Sequence, residues 1–479
     1  MTHIHVVSKE AGIGNRVMVN SLIWEKQSQI TVTLDVDNAV VPKIDVWKLS
    51  IAFRDKSLCA RSGTCVGICP EDALNLDDDY YPVLDPLRCT QCGLCGEACP
   101  GGDVQYESLS EITFGANAYS MGFDGWVQKT YVGYCTDDTI RQSGAGGGVV
   151  TGLLADMLEH NDVDGCIVTR MRTDKPWLGE PFIARNREEL LTSQSSHYSI
   201  IPLNSIFRQI RQTPGRYALA ALPCHVHGYR KALVDNPWLE ERIAVVVGLF
   251  CGGALETNVV PELLQTKGIA KESIKQFEFR GGEWPGRMRA IMADGTERNL
   301  HPSNYKDGAY NYFTSLYMPR RCQVCLDGSC EFADVAVSDT WTRDERGDYK
   351  FKASSRLLIR TTKGAEVVAK AVQRGTLVAS DVSNDTSYVT HQLQTRRKGL
   401  NAPLRIERWR NKGINVPVYD KPTPNANRME RLTEVVVSTV LWLGRFKALR
   451  YPLVKFLTSS AGVPLIKLRI LRKSWKYRK

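Results

Sequence analysis

Residues 89–100 read CTQCGLCGEACP, and residues 59–70 read CARSGTCVGICP. Laid over one another at an offset of 30 residues, Cys59 falls on Cys89, Cys65 on Cys95, Cys69 on Cys99 and Pro70 on Pro100. The chain thus carries an internal duplication, readable without any other sequence. One position breaks the match: Ser62 stands where the second copy has Cys92.

The second copy is a complete Cys-x2-Cys-x2-Cys-x3-Cys-Pro run. In such a run three closely spaced thiolates wrap one iron–sulfur cubane, and the fourth, after a longer gap, serves the neighbouring cluster. Crossing the fourth ligands between the copies, as in two-cluster ferredoxins, gives two sites. Cys89, Cys92, Cys95 and Cys69 make the first, expected to hold a [4Fe–4S] cluster. Cys59, Cys65 and Cys99 make the second, with Ser62 at its remaining corner. A serine oxygen is a harder ligand than thiolate and holds iron weakly. The second site is therefore expected to hold a [3Fe–4S] cluster, or a [4Fe–4S] cluster with a labile, oxygen-ligated iron. The competing reading is zinc, or an empty site. A remnant would have lost several ligands, whereas three of four survive.

The 479 residues suffice for two to four domains. With 43% hydrophobic and 24% charged residues the composition is that of a globular chain. The 14 cysteines lie mostly in Cys-x2-Cys or Cys-Pro settings, which favours metal ligation in a reducing compartment over disulfides. The opening residues show no apolar run behind a basic start, so a cytoplasmic location is expected. The net charge of +10 is lopsided: residues 431–479 hold 12 Lys or Arg against one acid, Glu434. The rest is close to neutral, which argues against nucleic acid as a partner.

Beyond residue 108 the texture alternates between apolar runs and helical patterns. KTYVGYC (129–135), GCIVTRM (165–171), RYALAAL (216–222) and RIAVVVGLFC (242–251) read as strands, several of them buried on both faces of a parallel sheet. GGVVTGLLADMLEH (147–160) has helical periodicity. The expected fold class is α/β, α+β over the whole chain. Its parts are an N-terminal segment (1–50), a ferredoxin-like two-cluster module (51–108), a mixed α/β body (109–345), a polar extension (346–425) and a basic amphipathic helical tail (426–479). No stretch of 18 apolar residues occurs, so no membrane span is expected.

Within the body, SGAGGGVVTG (143–152) sets glycines before a helix, where backbone N–H groups can close on a phosphate. Cys224 and Cys251 fall at strand ends, where ligand sites of α/β sheets gather. With the Cys322-x2-Cys325 pair they could hold a further cluster or a zinc, or be buried small hydrophobes. His225 and His227 follow Cys224, and His197 sits in a polar loop. His197 and His225 are candidate catalytic proton carriers. Arg280 and Trp284 in FRGGEWPG offer a cation and a stacking face.

The ordered set of double cysteine run, SGAGGGVVTGLL, SQSSHYS, ALPCHVHGYRKAL, GLFCGG, FRGGEWPGRMRA and CQVC followed by EFADVAVSDTW resembles the coenzyme F420 hydrogenase/dehydrogenase β-subunit family, as a bacterial member. The resemblance covers roughly residues 50–345. It implies an iron–sulfur flavoprotein oxidoreductase that binds FAD in the body. Electrons would pass between the ferredoxin-type clusters and an organic substrate or deazaflavin-type coenzyme. The family's flavin loops correspond here to Ser143, Gly147 and Gly148, and to Ser196 and Tyr198. Gly146 replaces a frequent serine, Ser338 a frequent glycine before Asp339, and His197 a frequent lysine. A ferredoxin or a redox partner subunit is the implied partner. The alternative is an electron-transfer subunit with no substrate of its own, serving a partner enzyme in polysaccharide biosynthesis at the membrane surface.

In the tail, LWLGRFKALRYPLVKFL (441–457) sets Trp442, Phe446, Leu449 and Leu453 at helical spacing, with Arg445, Lys447 and Arg450 between them. Such a face suits peripheral contact of residues 428–479 with an anionic membrane, at the inner face, or with an acidic partner. Pro452 is expected to kink or end the helix.

Overall fold

The computed structural model describes residues 43–115, 120, 122–305, 310–340, 342, 350–385, 393–422, 424–462 and 464. Residues 1–42 of the N-terminal segment and the tail's closing LRILRKSWKYRK lie outside the described residues. Each cysteine run ends in a short helix, Thr64–Ile68 and Leu94–Glu97, and each helix opens on a left-handed glycine, Gly63 (φ 80°) and Gly93 (φ 87°). The duplication in the letters is thus a duplication in the backbone. Between the runs, β1 (Leu74–Leu76) pairs antiparallel with β2 (Pro82–Leu84), and β3 (Asp103–Val104) follows the second run. Leu49, Val66, Ala73, Leu74 and Leu84 close a small apolar core beneath the cysteines.

The body begins with β4 (Lys129–Cys135), β5 (Gly165–Met171), β6 (Gly179–Ala184), β7 (Tyr217–Ala221) and β8 (Ile243–Leu249). A separate antiparallel sheet follows, made of β9 (Ile274–Gly281), β10 (Arg287–Met292) and β11 (Glu297–Asn299), with β10 central. Then come β12 (Val335–Asp339), β13 (Ser355–Ile359), β14 (Leu377–Asp381) and β15 (Val418–Tyr419). Eight strands form the main sheet in the order β14-β4-β13-β12-β8-β7-β5-β6. Its centre, β5, β7, β8 and β12, is parallel. The continuous apolar runs are explained by burial on both faces: Tyr217, Leu219 and Ala221 of β7 join one core, and Ala218 and Ala220 join the other.

Two expectations need correcting. The span 346–425 is not a polar extension: β13 lies inside the main sheet between β4 and β12 with all five residues buried, and β14 pairs with β4. Its charged residues hid this. Arg360 is buried, yet its guanidinium donates to the carbonyls of Asp124 (2.8 Å) and Ser329 (3.0 Å). Further on, β15 pairs in parallel with β3, tying this span to the cysteine module. The second correction concerns the tail, which forms two helices, Arg428–Leu443 and Lys447–Leu457. The break falls at Gly444, where a Cβ would stand 2.8 Å from Leu316 Cα, and Pro452 lies within the second helix.

Arg450 does not join Arg445 and Lys447 on a solvent-facing basic face. It is buried, donating to Glu262 (2.5 and 2.9 Å) and to the Gly444 carbonyl (3.0 Å), while the Tyr317 hydroxyl donates to the same carboxylate (2.8 Å). This cluster clamps the tail onto the helices Val259–Thr266 and Tyr310–Tyr317. Removing one partner of a buried ion pair costs roughly 3–5 kcal/mol, because the other charge stays buried. Arg450→Met is expected to lower the unfolding free energy by about that amount and to open the 444–457 region to limited proteolysis. Thermal unfolding with peptide mapping checks this; a wild-type melting point and cleavage pattern would contradict the clamp.

Candidate functional site

Two recesses open in the N-terminal module. The first, of about 370 Å³, is lined by Cys69, Cys89, Cys92 and Cys95. The second, of about 320 Å³, is lined by Cys59, Ser62, Cys65 and Cys99. Cys69 and Cys99 thus line the recess of the opposite copy. The backbone serves the sulfurs in matching ways: Arg61 N–H donates to Cys59 Sγ (3.4 Å), Ala73 N–H to Cys69 Sγ (3.3 Å) and Gly101 N–H to Cys99 Sγ (3.4 Å). Arg61 and Gln91, 30 residues apart, both take left-handed backbone (φ 51° and 57°) behind the first cysteine of each run.

Burial pushes the thiols of Cys59 and Cys95 up to about 12 and raises those of Cys65 and Cys89 as well. Buried thiols are stabilised as thiolates by nearby positive charge, such as a bound metal would supply. Among the described residues, no three His, Cys, Asp or Glu side chains converge on a single-ion position. Sulfurs set around a recess fit a multi-iron cage, in which each thiolate holds a separate iron. Ser62 is buried at the second recess. Its hydroxyl lies 2.9 Å from Thr64 Oγ1, which in turn accepts from the Asn204 amide (2.9 Å).

A third thiol group lies on the main sheet. Cys224 follows β7 in the first turn of the helix Pro223–Leu233, and Cys251 follows β8. Cys322 belongs to the helix Arg320–Gln323, and Cys325 lies just beyond it. Burial raises Cys224 well above the usual thiol range, with further contributions from Cys322, Cys251 and Cys325, so the four lie within electrostatic reach of one another. Cys330 is fully buried, its thiol points to the Ala221 carbonyl (3.6 Å), and it too feels Cys224 and Cys251.

Two cations unremarked in the sequence frame this group. Arg321 donates to the carbonyls of Gly101 (2.8 Å) and Pro100 (2.6 Å), joining the third thiol group to the loop after Cys99. Lys398, from the helix Leu393–Asn411, donates to the carbonyls of Cys251 (3.1 Å) and Asp327 (2.6 Å). Neither shows a motif; only packing reveals them.

The glycine loop lies on the same sheet edge. β13 runs antiparallel to both β4 and β12, so those two strands point the same way as β5, β7 and β8. Ser355 of β13 pairs with Gly133 of β4 and with Asp339 of β12. The carboxyl ends of the parallel strands therefore present, in order, the glycine loop, Asp339, Cys251 and Cys224. Ser143 closes a short helix before the loop, and Gly148 (φ 68°) starts the helix Val149–Glu159. A Cβ on Gly148 would stand 2.7 Å from the Ile140 carbonyl, so this position requires glycine. The partial positive charge of that helix terminus suits a cofactor phosphate.

Arg280 links the two expected flavin loops. Its guanidinium donates to Asp339 (2.9 Å) and to the Ala145 carbonyl, and stacks over Tyr305 at 4.1 Å. Tyr305 stacks on Tyr198 with ring centroids 5.6 Å apart, and Ser196 hydrogen-bonds the Tyr198 side chain. His197 lies beside Thr169 Oγ1 (3.1 Å), and burial lowers it to about 4, so it is neutral at pH 7. His225, also lowered to about 4 by burial, has both ring nitrogens on backbone groups of Leu222 and Ile201, and His227 meets Asp327 at 3.0 Å. Trp284 precedes a cis proline.

The N-terminal module matches a 4Fe-4S dicluster domain over residues 51–100. The body matches the N-terminal part of the coenzyme F420 hydrogenase/dehydrogenase β subunit over residues 130–208 and its C-terminal part over residues 215–385. Together these two span more than half of the chain, which belongs to the coenzyme F420 hydrogenase/dehydrogenase β-subunit family. Among its relatives is the coenzyme F420-dependent sulfite reductase of Methanocaldococcus jannaschii, 26% identical over 67% of this chain and 47% of that protein. Another is the coenzyme F420 hydrogenase subunit beta of Methanosarcina barkeri, 28% identical over 50% of this chain and 77% of that one. The chain spans about half the length of the sulfite reductase. A solved chain of the F420-reducing [NiFe] hydrogenase complex from Methanosarcina barkeri aligns at TM-score 0.48 and 22% identity, over 62% of this chain and 96% of that chain.

Proposed function

We propose that the chain is an iron–sulfur flavoprotein oxidoreductase that moves electrons between cysteine-held clusters and an organic substrate or deazaflavin-type coenzyme, through FAD. The observation that carries this reading is the shared sheet edge: glycine loop, Asp339, Cys251 and Cys224 at the carboxyl ends of parallel strands. Bound clusters would supply one-electron steps and FAD the two-electron step.

Cys69, Cys89, Cys92 and Cys95 are assigned to a [4Fe–4S] cluster. Cys59, Cys65 and Cys99 are assigned, with Ser62, to a [3Fe–4S] cluster or one with an oxygen-ligated iron. Cys224, Cys251, Cys322 and Cys325 are assigned to a third cluster. Cys92 is exposed, which favours the first recess as the entry point for electrons from a ferredoxin or partner subunit. Ser143, Gly147, Gly148, Ser196 and Tyr198 are assigned to FAD, with Arg280 holding the two loops together. His197, neutral and partly buried, can hold or pass a proton beside Thr169. His225 is better read as a buried tie between the helix Pro223–Leu233 and the backbone at Ile201.

The competing reading, a relay subunit without its own substrate, draws on relatives named as hydrogenase and formate dehydrogenase β subunits. Anaerobically purified full chain separates the two. Retained FAD, reduced by dithionite-poised ferredoxin and reoxidised by coenzyme F420 or another hydride acceptor, is the expected result; clusters without flavin would leave the relay. In the same preparation Ser62→Cys is expected to replace a three-iron electron paramagnetic resonance (EPR) signal by a [4Fe–4S] one. An unchanged spectrum would remove Ser62 from the site.

We also propose that the tail helices seat on an anionic membrane surface. Leu432, Val436, Trp442, Leu449, Leu453 and Phe456 are all exposed, with Arg445, Lys447 and Lys455 exposed among them. Among the described residues no helix is long and apolar enough to cross a membrane. Buried apolar area and roughly 1 kcal/mol per basic residue near an anionic surface would add together. The full chain is expected to sediment with phosphatidylglycerol vesicles at low salt, less with phosphatidylcholine vesicles, and to lose binding in the double variant Leu449→Glu/Leu453→Glu. A chain that stays in the supernatant with both vesicle types would contradict this.

A further inference from the structure

Lys398 lies in sequence beyond the last residue matched to the family, 385. Its ammonium group is partly buried and spends two hydrogen bonds on carbonyls, those of Cys251 (3.1 Å) and Asp327 (2.6 Å). Among the described residues no carboxylate stands within ion-pair distance of it. The buried Asp327 carboxylate is committed elsewhere, accepting from His227 Nε2 and from the N–H groups of Ser329 and Glu331, each at 3.0 Å. A cation withdrawn from water without a directly paired carboxylate is costly. The groups facing it are the thiols of Cys325, Cys251 and Cys322, with the Asp327 carboxylate farther off and already engaged. Such a lysine makes physical sense when that side of the pocket carries net negative charge, as a thiolate-ligated cluster does.

We propose that Lys398 is an electrostatic positioning residue that raises the reduction potential of the cluster held by Cys224, Cys251, Cys322 and Cys325. This rests on the cluster assignment made above for those four cysteines. An added electron makes the cluster more negative, and a fixed positive charge at short range in a low-dielectric setting favours that form over the oxidised one. The second nearby cation, Arg321, keeps its charge while donating to the carbonyls of Pro100 and Gly101 and also faces Cys325 and Cys322, so Lys398 adds to its field. The third cluster thereby sits at a higher potential than it would without Lys398, drawing electrons from the ferredoxin-like recesses toward the sheet edge.

The test is a potentiometric titration of the anaerobic full chain followed by EPR, with iron content measured on each sample. In Lys398→Met one cluster's midpoint is expected to move to more negative potential while the other signals stay put, and Lys398→Arg is expected to restore it. A wild-type midpoint in Lys398→Met with iron retained overturns the proposal. Should the methionine variant lose iron, Lys398→Gln, which keeps a hydrogen bond and drops the charge, is read in its place; an unshifted midpoint there overturns the proposal equally. Loss of the signal in both variants would make Lys398 a holding residue and overturn the tuning role. Cys322→Ala, which leaves no ligating atom, provides the separate control. If it leaves every EPR signal and the iron content unchanged, the third cluster itself is absent and the assignment beneath the proposal fails.

Discussion

The contact on which the structure depends is the seating of the first cysteine helix against the short turn Leu203–Ile206, which precedes the helix Phe207–Gln212 and β7. Gly67 lies so close to that turn that a Cβ would stand 2.0 Å from the Asn204 carbonyl, and one on Gly63 would stand 2.6 Å from the Pro202 carbonyl. Asn204 closes the joint, donating its backbone N–H to the Ser62 carbonyl (2.9 Å) and its amide to Thr64 Oγ1 and the His225 carbonyl. His225 belongs to the helix that starts at Pro223, one residue before Cys224. A single packed joint therefore fixes the Ser62 recess relative to the third thiol group. One-electron transfer needs such fixed, short separations, and close-packed interiors transmit displacement rather than absorb it.

Around that joint, positive charge is threaded inward. Arg208 and Arg211 reach from the helix Phe207–Gln212 to Asp72, Arg211 also donates to the Cys69 carbonyl (2.8 Å), and Lys231 donates to the Cys99 carbonyl (3.0 Å). With Arg321 and Lys398, the carbonyls flanking Cys69, Cys99 and Cys251 are each met by a cation. Thiolate-ligated clusters are anionic, and this arrangement would offset the charge of clusters bound there with groups from the body. The N-terminal module is thus electrostatically completed by the domain on which it packs.

Much of this was legible in the letters, for physical reasons. The strands at 217–221 and 243–249 announced themselves because burial on both faces leaves little room for polar residues, and those at 129–135 and 165–171 through their short apolar runs. The cysteine duplication was legible because cluster ligation fixes spacing. β13 and β14 were not, because SRLLI and LVASD are short and edged with charge that the fold satisfies internally, as Arg360 does through carbonyls. Arg450 read as a basic surface residue until Glu262, 188 positions away, appeared beside it. Lys398 and Arg321 bond backbone carbonyls, a kind of contact that leaves no trace in residue type. Gly147 and Gly148 were legible as a loop, but the sharing of one edge with Cys224 and Cys251 required the strand order.

Cysteines from separate segments are assigned to iron–sulfur cages leading to a flavin on the sheet edge. Mössbauer spectroscopy of anaerobic full chain grown on isotopically enriched iron, with flavin released and counted from the same sample, tests this assignment most directly. The expected spectrum contains cubane-type iron in more than one environment, alongside stoichiometric FAD. Mononuclear iron or none, in colourless protein without flavin, would contradict it.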